Sequence, residues 1–363
     1  MKTRRNLALP EHAILELTYD CNHQCRFCYC PWENTVKPEF FYEKQDELPL
    51  EGWKKVLAAL EDIGVKNVGL SGGEPLLKEG FVDLLKHIRG NTGLNKGRKI
   101  SVISNGKSMN EHTLSALKEA HTHLQLSLPG LTTYAWHTGT AGIVGGAENL
   151  LYWLKRAKEE GISTTVNIIV TRRNLHELYE MIANAILAGA GSLMLNRALI
   201  GGRGIGHIDE LTLSKEEIRE MVDTAEDVLK TAGHKGAIGT EIPLCALDEA
   251  GSSQTSDGEA LISSASKYSH LRIASLCAAA RKFFVIDPSG YVRTCNHSPR
   301  RLGHILDSNP IEDATYWNLF ASRAYSLPEM CADCSLYNKC DCGCREAASI
   351  CYGELDAPDP SMK

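Results

Sequence analysis

The chain has 363 residues, of which 43% are hydrophobic and 23% charged, so it can bury one large core or two ordinary ones. Its 45 acidic and 39 basic side chains give a formal net charge of −6, which excludes the basic surface typical of nucleic-acid-binding proteins. No apolar run could span a bilayer and no signal peptide opens the sequence, so we expect a cytoplasmic protein without a membrane partner.

Between residues 13 and 200, short β-rich runs alternate with amphipathic helical patterns. The predicted strands are Ala13–Thr18, Asn67–Leu70, Lys99–Ser104, His123–Leu128, Ser163–Val170 and Ser192–Asn196. The helical patterns between them lie near 51–63, 78–90, 110–120, 146–160 and 174–188. This alternation predicts an α/β fold with a parallel sheet, either doubly wound or a partial (β/α)6 barrel similar to a TIM barrel.

The sequence changes character after the sixth predicted strand. A capping box predicts a helix over 214–232, and the Ser- and Gly-rich composition of 250–270 indicates a flexible linker or insertion. Arg281–Ile286 and Tyr291–Cys295 flank a Pro-Ser-Gly turn and predict a β-hairpin. We therefore divide the chain into a core barrel at 1–205, a bridging helix and linker at 206–270, and a small Cys-rich domain at 271–363.

Thirteen cysteines are the unusual feature of the composition: four lie at 21–30, one at 245 and eight between 277 and 351. A long chain without a signal peptide is not a disulfide scaffold, so metal binding in a reducing compartment is the better explanation. Because the cysteine-rich segments contain few histidines, thiolates would be the ligands. That ligand type favours iron–sulfur clusters or structural zinc.

The first cysteine motif is Cys21-x3-Cys25-x2-Cys28, directly after the first predicted strand. It would lie at the carboxyl edge of the sheet, where α/β proteins bind ligands. Three thiolates would bind three irons of a [4Fe–4S] cluster and leave the fourth iron open. A zinc or redox loop is the alternative for this motif alone. Cys30 is interpreted as a bystander or a supporting residue.

With Phe27 before the third cysteine and Ser71-Gly72-Gly73-Glu74-Pro75 after the second strand, the sequence resembles the radical S-adenosylmethionine (SAM) superfamily. The resemblance implies that SAM chelates the open iron and is cleaved by an electron from the cluster, giving a 5′-deoxyadenosyl radical. Related maturases place an Arg near 137–138, where this chain has His137 and Thr138. The implied SAM-binding residues are Phe27, Gly72, Gly73, Glu74, Ser104, Asn105 and Ser127.

The C-terminal cysteines resemble the seven-cysteine SPASM domain of peptide-modifying radical SAM enzymes. The matching pattern is Cys277-x12-Gly290-x4-Cys295, then Cys331-x2-Cys334-x5-Cys340-x3-Cys344, then Cys351. The resemblance implies two auxiliary clusters, and so three [4Fe–4S] clusters in all. The implied ligands are Cys277, Cys295 and Cys344 for the first, with Cys245 as candidate fourth ligand, and Cys331, Cys334, Cys340 and Cys351 for the second. A buried free thiol is the alternative for Cys245, zinc is the alternative for the whole region, and Cys342 is unassigned.

The resemblance implies an enzyme that abstracts hydrogen from a peptide or protein, and our first hypothesis is crosslinking or oxidation of a ribosomally synthesised peptide. The alternatives are formylglycine formation, as in anaerobic sulfatase-maturating enzymes, radical SAM modification of a small molecule, and a non-enzymatic iron–sulfur or zinc protein. Only 20 residues precede Cys21, so we expect either a separate leader-peptide-binding protein or none. We also expect an electron donor such as flavodoxin or ferredoxin. No catalytic side chain is assigned.

Overall fold

The computed structural model describes residues 9–33, 46–90, 99–140, 145–247 and 267–362. Most of the predicted linker at 250–270 lies outside these ranges. The strands within them are β1 (His12–Glu16), β2 (Asn67–Ser71), β3 (Ile100–Ser104), β4 (His123–Leu128), β5 (Ser163–Val170), β6 (Ser192–Arg197), β7 (Gly236–Ile238), β8 (Leu271–Arg272), β9 (Phe284–Ile286) and β10 (Val292–Arg293).

The α-helices alternate with the first six strands and continue beyond them. They are α1 (Leu50–Asp62), α2 (Phe81–Gly90), α3 (Glu111–Glu119), α4 (Tyr134–Thr138), α5 (Gly146–Glu159), α6 (Leu178–Leu187), α7 (Ile208–Leu211), α8 (Lys215–Thr231), α9 (Ala314–Ala321) and α10 (Arg345–Tyr352). The capping box predicted at Ser214 and Glu217 opens α8. Over the part of the chain that the structure describes, no helix has the length and apolarity needed to cross a membrane.

The described strands form one sheet in the order β10-β9-β1-β2-β3-β4-β5-β6-β7-β8. Strands β1 to β6 are parallel and adjacent in chain order. A doubly wound sheet reverses its order at the centre, whereas this order runs in one direction. The prediction of an α/β partial barrel is therefore confirmed, and the six predicted strands are confirmed to within two residues at each end.

Strand β4 shows how the sheet separates its apolar face from its polar face. Leu124, Leu126 and Leu128 are buried in the same core as Leu150 and Leu154 of α5. Burial of each leucine side chain stabilises the fold by about 2 kcal/mol. The alternate residues of β4 are polar and partly buried on the opposite, concave face: His123, Gln125 and Ser127. The concave face therefore offers polar side chains to a ligand.

The predicted hairpin is confirmed, because β9 and β10 pair antiparallel across a turn in which Gly290 N donates to Asp287 O at 2.9 Å. Strand β9 also pairs in parallel with β1, outside the six-strand core. A buried ion pair between Arg293 and Glu16 and a hydrogen bond from Asn296 Nδ2 to Glu16 Oε1 at 2.9 Å join the two regions. The C-terminal cysteine region is thus attached to the strand that leads into the first cysteine motif.

Candidate active site

The loop after β1 carries Cys21, Cys25 and Cys28 at the carboxyl edge of the sheet. Burial raises the pKa of Cys21 to about 11 and that of Cys25 well above its ordinary value, and the charge of Cys28 adds to both shifts. The Cys30 thiol hydrogen-bonds with Cys28 and lowers the pKa of Cys28. Because coordination deprotonates a thiol, a cationic cluster would offset the cost of ionising these side chains. The donor set fits an iron–sulfur cluster.

One side of this cysteine loop is hydrogen-bonded to the end of α4. Gln24 N donates to Thr138 O at 2.9 Å, and Arg26 N donates to His137 O at 2.9 Å. The His137 ring is fully buried, with both nitrogens hydrogen-bonded, and burial lowers its pKa to about 4. A neutral, enclosed imidazole cannot act as the cation that related maturases place here. His137 supports the cysteine loop instead.

A glycine-rich segment, Gly201–Gly204, packs against the other side of the cysteine loop. Gly202 has φ +48°, and a Cβ atom on it would lie 2.3 Å from Cys30 O and 2.6 Å from Cys28 O. Gly204 N donates to Cys28 O at 3.3 Å. Only glycine permits both the left-handed conformation and this close approach. The segment is therefore part of the support for the cysteine motif.

The Ser71–Pro75 motif lies against the backbone that leads into the cysteine loop. A Cβ atom on Gly72 would lie 2.4 Å from Thr18 O, and one on Gly73 would lie 2.3 Å from Asp20 O. Gly73 N donates to Thr18 O at 2.7 Å. The two glycines thus allow the end of β2 to hold the start of the cysteine loop.

Glu74 and Ser104 form a buried support for Asn105. The Glu74 carboxylate accepts hydrogen bonds from Ser104 Oγ and from Asn105 N, each at 2.8 Å. Burial raises the pKa of Glu74 to about 7. Asn105 Nδ2 donates to Asn22 Oδ1 at 2.8 Å and lies 3.8 Å from Cys21 Sγ. Glu74 and Ser104 therefore act on the site through Asn105.

Phe27 lies in the cysteine loop, and Ser127 lies near the carboxyl end of β4. Phe27 packs against an apolar cluster that contains Ile200, after β6. Ser127 lies on the concave face of β4, in register with Asn167 of β5. Asn167 Oδ1 accepts a hydrogen bond from Asn196 Nδ2 at 2.7 Å. Apolar side chains therefore pack around Phe27, and polar side chains line the concave face of β4, β5 and β6.

The structure brings Cys277, Cys295 and Cys344 together, as predicted for the first auxiliary set. Burial raises the pKa of Cys277 and Cys344 well above the ordinary value, and the charges of Glu241 and Cys295 raise both further. Burial raises the pKa of Glu241 itself, and the charge of Arg197 acts in the opposite direction. Sequence reasoning missed Glu241, because it lies outside any motif and reaches the thiols only through the fold.

Cys245 does not join this first set. Its short turn, Leu244–Leu247, packs against the second set, where Leu244 N lies 3.4 Å from Cys340 Sγ. Cys342, left unassigned by the sequence, hydrogen-bonds with Cys331, which lowers the pKa of Cys342 to about 7. Five cysteines line one cavity: Cys245, Cys331, Cys334, Cys340 and Cys342.

Cys351, predicted for the second set, lies in a different environment. Helix α10 starts just after Cys344 and carries Cys351 about 10 Å along its axis. There Cys351 packs with Phe27 against the apolar cluster around Ile200. In the described ranges, no three His, Cys, Asp or Glu side chains converge on a position for a single metal ion.

Comparison with known proteins finds relatives by sequence. The PqqA peptide cyclase of Rhodopseudomonas palustris is 26% identical over 364 residues, which cover 97% of this chain and 86% of that protein. The sporulation killing factor maturation protein SkfB of Bacillus subtilis is 26% identical over 302 residues, which cover 83% of this chain and 64% of that protein. Both are similar to this chain across most of its length.

Two solved structures share the fold. SuiB of Streptococcus suis, bound to precursor peptide SuiA, superposes with a TM-score of 0.69 at 16% identity, covering 97% of this chain and 75% of that chain. The enzyme anSMEcpe with bound AdoMet superposes with a TM-score of 0.67 at 15% identity, covering 96% of this chain and 93% of that chain. The sequence profile of the radical SAM superfamily matches residues 15–185, which include the cysteine loop and the strands that support it. The chain therefore contains a radical SAM domain over these residues.

Proposed function

We propose that this chain modifies a ribosomally synthesised peptide, by crosslinking or oxidation, through radical SAM chemistry. The observation that carries the proposal is the meeting of the cysteine loop, the Gly72–Gly73 backbone and the Asn105 amide at the carboxyl edge of the sheet. A [4Fe–4S] cluster and SAM, when bound there, supply a 5′-deoxyadenosyl radical that can abstract a hydrogen atom from the substrate.

The choice of a peptide as substrate is supported by the relatives. The PqqA peptide cyclases are named for cyclisation of a peptide, and SkfB is named for maturation of the sporulation killing factor. Both match this chain over most of its length. SuiB, which shares the fold, was solved with a precursor peptide bound. The polar concave face beside the cysteine loop can hydrogen-bond the backbone of such a peptide.

We assign the residues of the SAM site by their contacts. Cys21, Cys25 and Cys28 would hold the cluster, because their thiols are the soft donors at the carboxyl edge. The residues proposed to border SAM are Phe27, Gly72, Gly73, Asn105 and Ser127, with Glu74 and Ser104 as the buried support for Asn105.

Two auxiliary [4Fe–4S] clusters, three in all, complete the proposal. Cys277, Cys295 and Cys344 would bind one of them. The second cluster would occupy the five-cysteine cavity, with Cys331, Cys334 and Cys340 as three of its ligands. Its fourth ligand would be Cys245 or Cys342, in place of Cys351. Cys277 and Cys295 of the first set flank the hairpin of β9 and β10, and β9 pairs with β1, the strand that leads into the cysteine loop. An auxiliary cluster there would accept an electron from a substrate radical.

The proposed partners follow from the chemistry. Reductive cleavage of SAM needs a one-electron donor of low potential, for which flavodoxin or ferredoxin is suited. A separate leader-peptide-binding protein would deliver the peptide. Thirteen cysteines without a disulfide suit a reducing compartment such as the cytoplasm.

The test uses anaerobically reconstituted protein with SAM and dithionite, alone and with each short peptide encoded beside the gene. We expect release of 5′-deoxyadenosine, and loss of a pair of hydrogen atoms from one peptide by mass spectrometry. The matched control replaces Cys21, Cys25 and Cys28 with Ala, which should abolish SAM cleavage and leave the auxiliary clusters in place. Absence of 5′-deoxyadenosine from the unaltered protein would refute the radical SAM activity.

The same assay separates the alternative substrates. Conversion of a Cys or Ser in a sulfatase-derived peptide to an aldehyde would favour formylglycine formation. SAM cleavage that responds to small molecules and to none of the encoded peptides would favour a small-molecule substrate. Either result would contradict the proposed peptide crosslinking or oxidation while retaining the radical SAM assignment.

A further inference from the structure

The aromatic rings of Tyr29 and His297 stack on each other, with their centroids 4.1 Å apart and their planes 18° from parallel. Tyr29 directly follows Cys28 of the cysteine loop, and His297 lies two residues after Cys295 of the first auxiliary set. Among the ring-to-ring contacts of the described residues, this is the one that joins the cysteine loop to the C-terminal cysteine region. The stack therefore connects the surroundings of two proposed cluster sites.

The backbone that carries His297 is fixed on both sides of the ring. Before it, Asn296 Nδ2 donates to Glu16 Oε1, at the end of β1, at 2.9 Å. After it, Ser298 O accepts a hydrogen bond from Arg293 Nη1 at 2.8 Å. Glu16 and Arg293 are both buried and form an ion pair with each other. The position of His297 is therefore set by the same contacts that join the hairpin to β1.

The segment that follows β6 packs against the stack. A Cβ atom on Gly201 would lie 3.0 Å from Tyr29 O and 3.5 Å from His297 Cδ2. His297 Nε2 lies 3.5 Å from Leu199 O, and the Leu199 side chain packs with Cys344, another member of the first auxiliary set. Covalent bonds and close contacts thus run without a break from the cysteine loop, through Tyr29 and His297, to the first auxiliary set.

We propose that the Tyr29–His297 stack is the path by which one electron passes between the first auxiliary cluster and the cluster of the cysteine loop. The inference rests on the two clusters put forward under the proposed function. Electrons tunnel more readily through touching atoms than across a gap, because touching orbitals couple more strongly. One cluster is oxidised by one electron and the other is reduced by one, and no bond or proton is exchanged. An electron accepted from a substrate radical can thereby return to the cysteine loop for the next cleavage of SAM.

The test uses reconstituted full-length protein that is reduced with dithionite and then freed of excess dithionite. SAM is added, and the EPR signal of the reduced auxiliary clusters is followed by freeze-quenching. The variant with Cys21, Cys25 and Cys28 replaced by Ala identifies that signal, because it retains the auxiliary clusters alone. In unaltered protein we expect the signal to decay after SAM is added and to persist without SAM, because cleavage of the SAM C–S bond is irreversible and withdraws electrons through the cysteine loop.

Four variants separate the aromatic path from a purely structural role. Tyr29→Leu and His297→Leu remove one ring each, and they should slow the decay of the auxiliary signal several-fold while the chain keeps about 12 Fe, for three cubanes. Tyr29→Phe and His297→Phe keep both rings and should decay at the rate of unaltered protein. Tyr152→Leu, at an exposed tyrosine of α5, is the control and should also leave the rate unchanged.

Equal decay rates in the leucine variants and in unaltered protein, with full iron content, would overturn the proposed path. Loss of iron from both leucine variants would also overturn it, because the stack would then support the cluster sites instead of carrying electrons. The failure of the auxiliary clusters themselves has a different signature. Unaltered protein that binds only about 4 Fe and still cleaves SAM would overturn both auxiliary clusters, and with them this inference, but not the radical SAM site.

Discussion

Arg197, the last residue of β6, forms a buried two-point ion pair with Asp359 near the end of the chain, with Nη1–Oδ1 at 3.0 Å and Nη2–Oδ2 at 2.7 Å. The same carboxylate accepts a hydrogen bond from Cys344 N at 2.8 Å. Burial opposes the charge of Asp359, but Arg197 outweighs it and lowers the pKa of Asp359 below its ordinary value. Asp359 thus links β6 of the core sheet to Cys344 of the first auxiliary thiol set.

We expect Asp359→Asn to reduce the free energy of unfolding by about 3–5 kcal/mol, because it leaves the Arg197 guanidinium buried without a counter-charge. Urea unfolding of the metal-free chain measures this change. The control is Asp307→Asn, at an exposed aspartate, which should change stability by less than about 0.5 kcal/mol. Equal unfolding midpoints for the two variants would show that the pair contributes little.

Gly202→Ala should impair binding of the first cluster. A methyl group there would meet Cys30 O at 2.3 Å and Cys28 O at 2.6 Å, so the cysteine loop must shift. Gly206→Ala, two residues beyond this segment, meets nothing within 4 Å and is the matched control. We expect Gly202→Ala to lose about one cluster of iron and most SAM cleavage, with Gly206→Ala unaffected. Iron content and 5′-deoxyadenosine release are measured for both variants, and equal values for the two would contradict the prediction.

The cavity of the second set predicts different effects for two cysteines. Cys245→Ala should perturb the EPR spectrum of the cluster in that cavity, because Cys245 lines it. Cys351→Ala should leave both auxiliary spectra intact, because Cys351 packs against the apolar cluster around Ile200. The reverse pattern, with loss of a cluster in Cys351→Ala alone, would restore the ligand set predicted from the sequence pattern.

The strands of the core were predictable because their signal is local. His123–Leu128 alternates polar and apolar residues within six positions, so its two faces can be read without knowing its neighbours. Strands β7 and β8 have three and two residues and carry no such pattern. They exist because β6 offers an open edge, which is a property of the assembled sheet.

The same distinction explains the candidate site. Cys21, Cys25 and Cys28 share one loop, so their spacing alone shows that they can meet. The environments of Cys245 and Glu241 depend on how the turn after β7 packs against segments far along the chain. Spacing carries no information on that packing, and this is why Cys245 was predicted for the first set and lies with the second.

Glu177 supports the cysteine loop indirectly, through the turn before α4. Its carboxylate accepts hydrogen bonds from Leu131 N at 3.0 Å, from Thr132 N at 2.9 Å and from Thr132 Oγ1 at 2.7 Å. Burial opposes ionisation, but the hydrogen bonds, including one from Thr133, outweigh it and lower the pKa of Glu177. Helix α4 then offers its last carbonyls to the cysteine loop.

A carboxyl group whose pKa is lowered by folding stabilises the fold when it is ionised. Glu177 therefore contributes to the free energy of unfolding at pH values above the ordinary glutamate pKa of about 4.3. This contribution is lost as the pH falls through the lower pKa that Glu177 has in the folded protein. We expect hydrogen-exchange protection of residues 131–138 in the metal-free chain to drop between pH 7 and about pH 3. Glu177→Gln should show the weaker protection already at pH 7, since a neutral amide accepts fewer hydrogen bonds. Glu180→Gln, at an exposed glutamate of α6, should retain the normal pH dependence. Equal protection of this segment at pH 7 in both variants would show that the Glu177 charge does not hold the turn, and the loss at low pH would then have to come from another group.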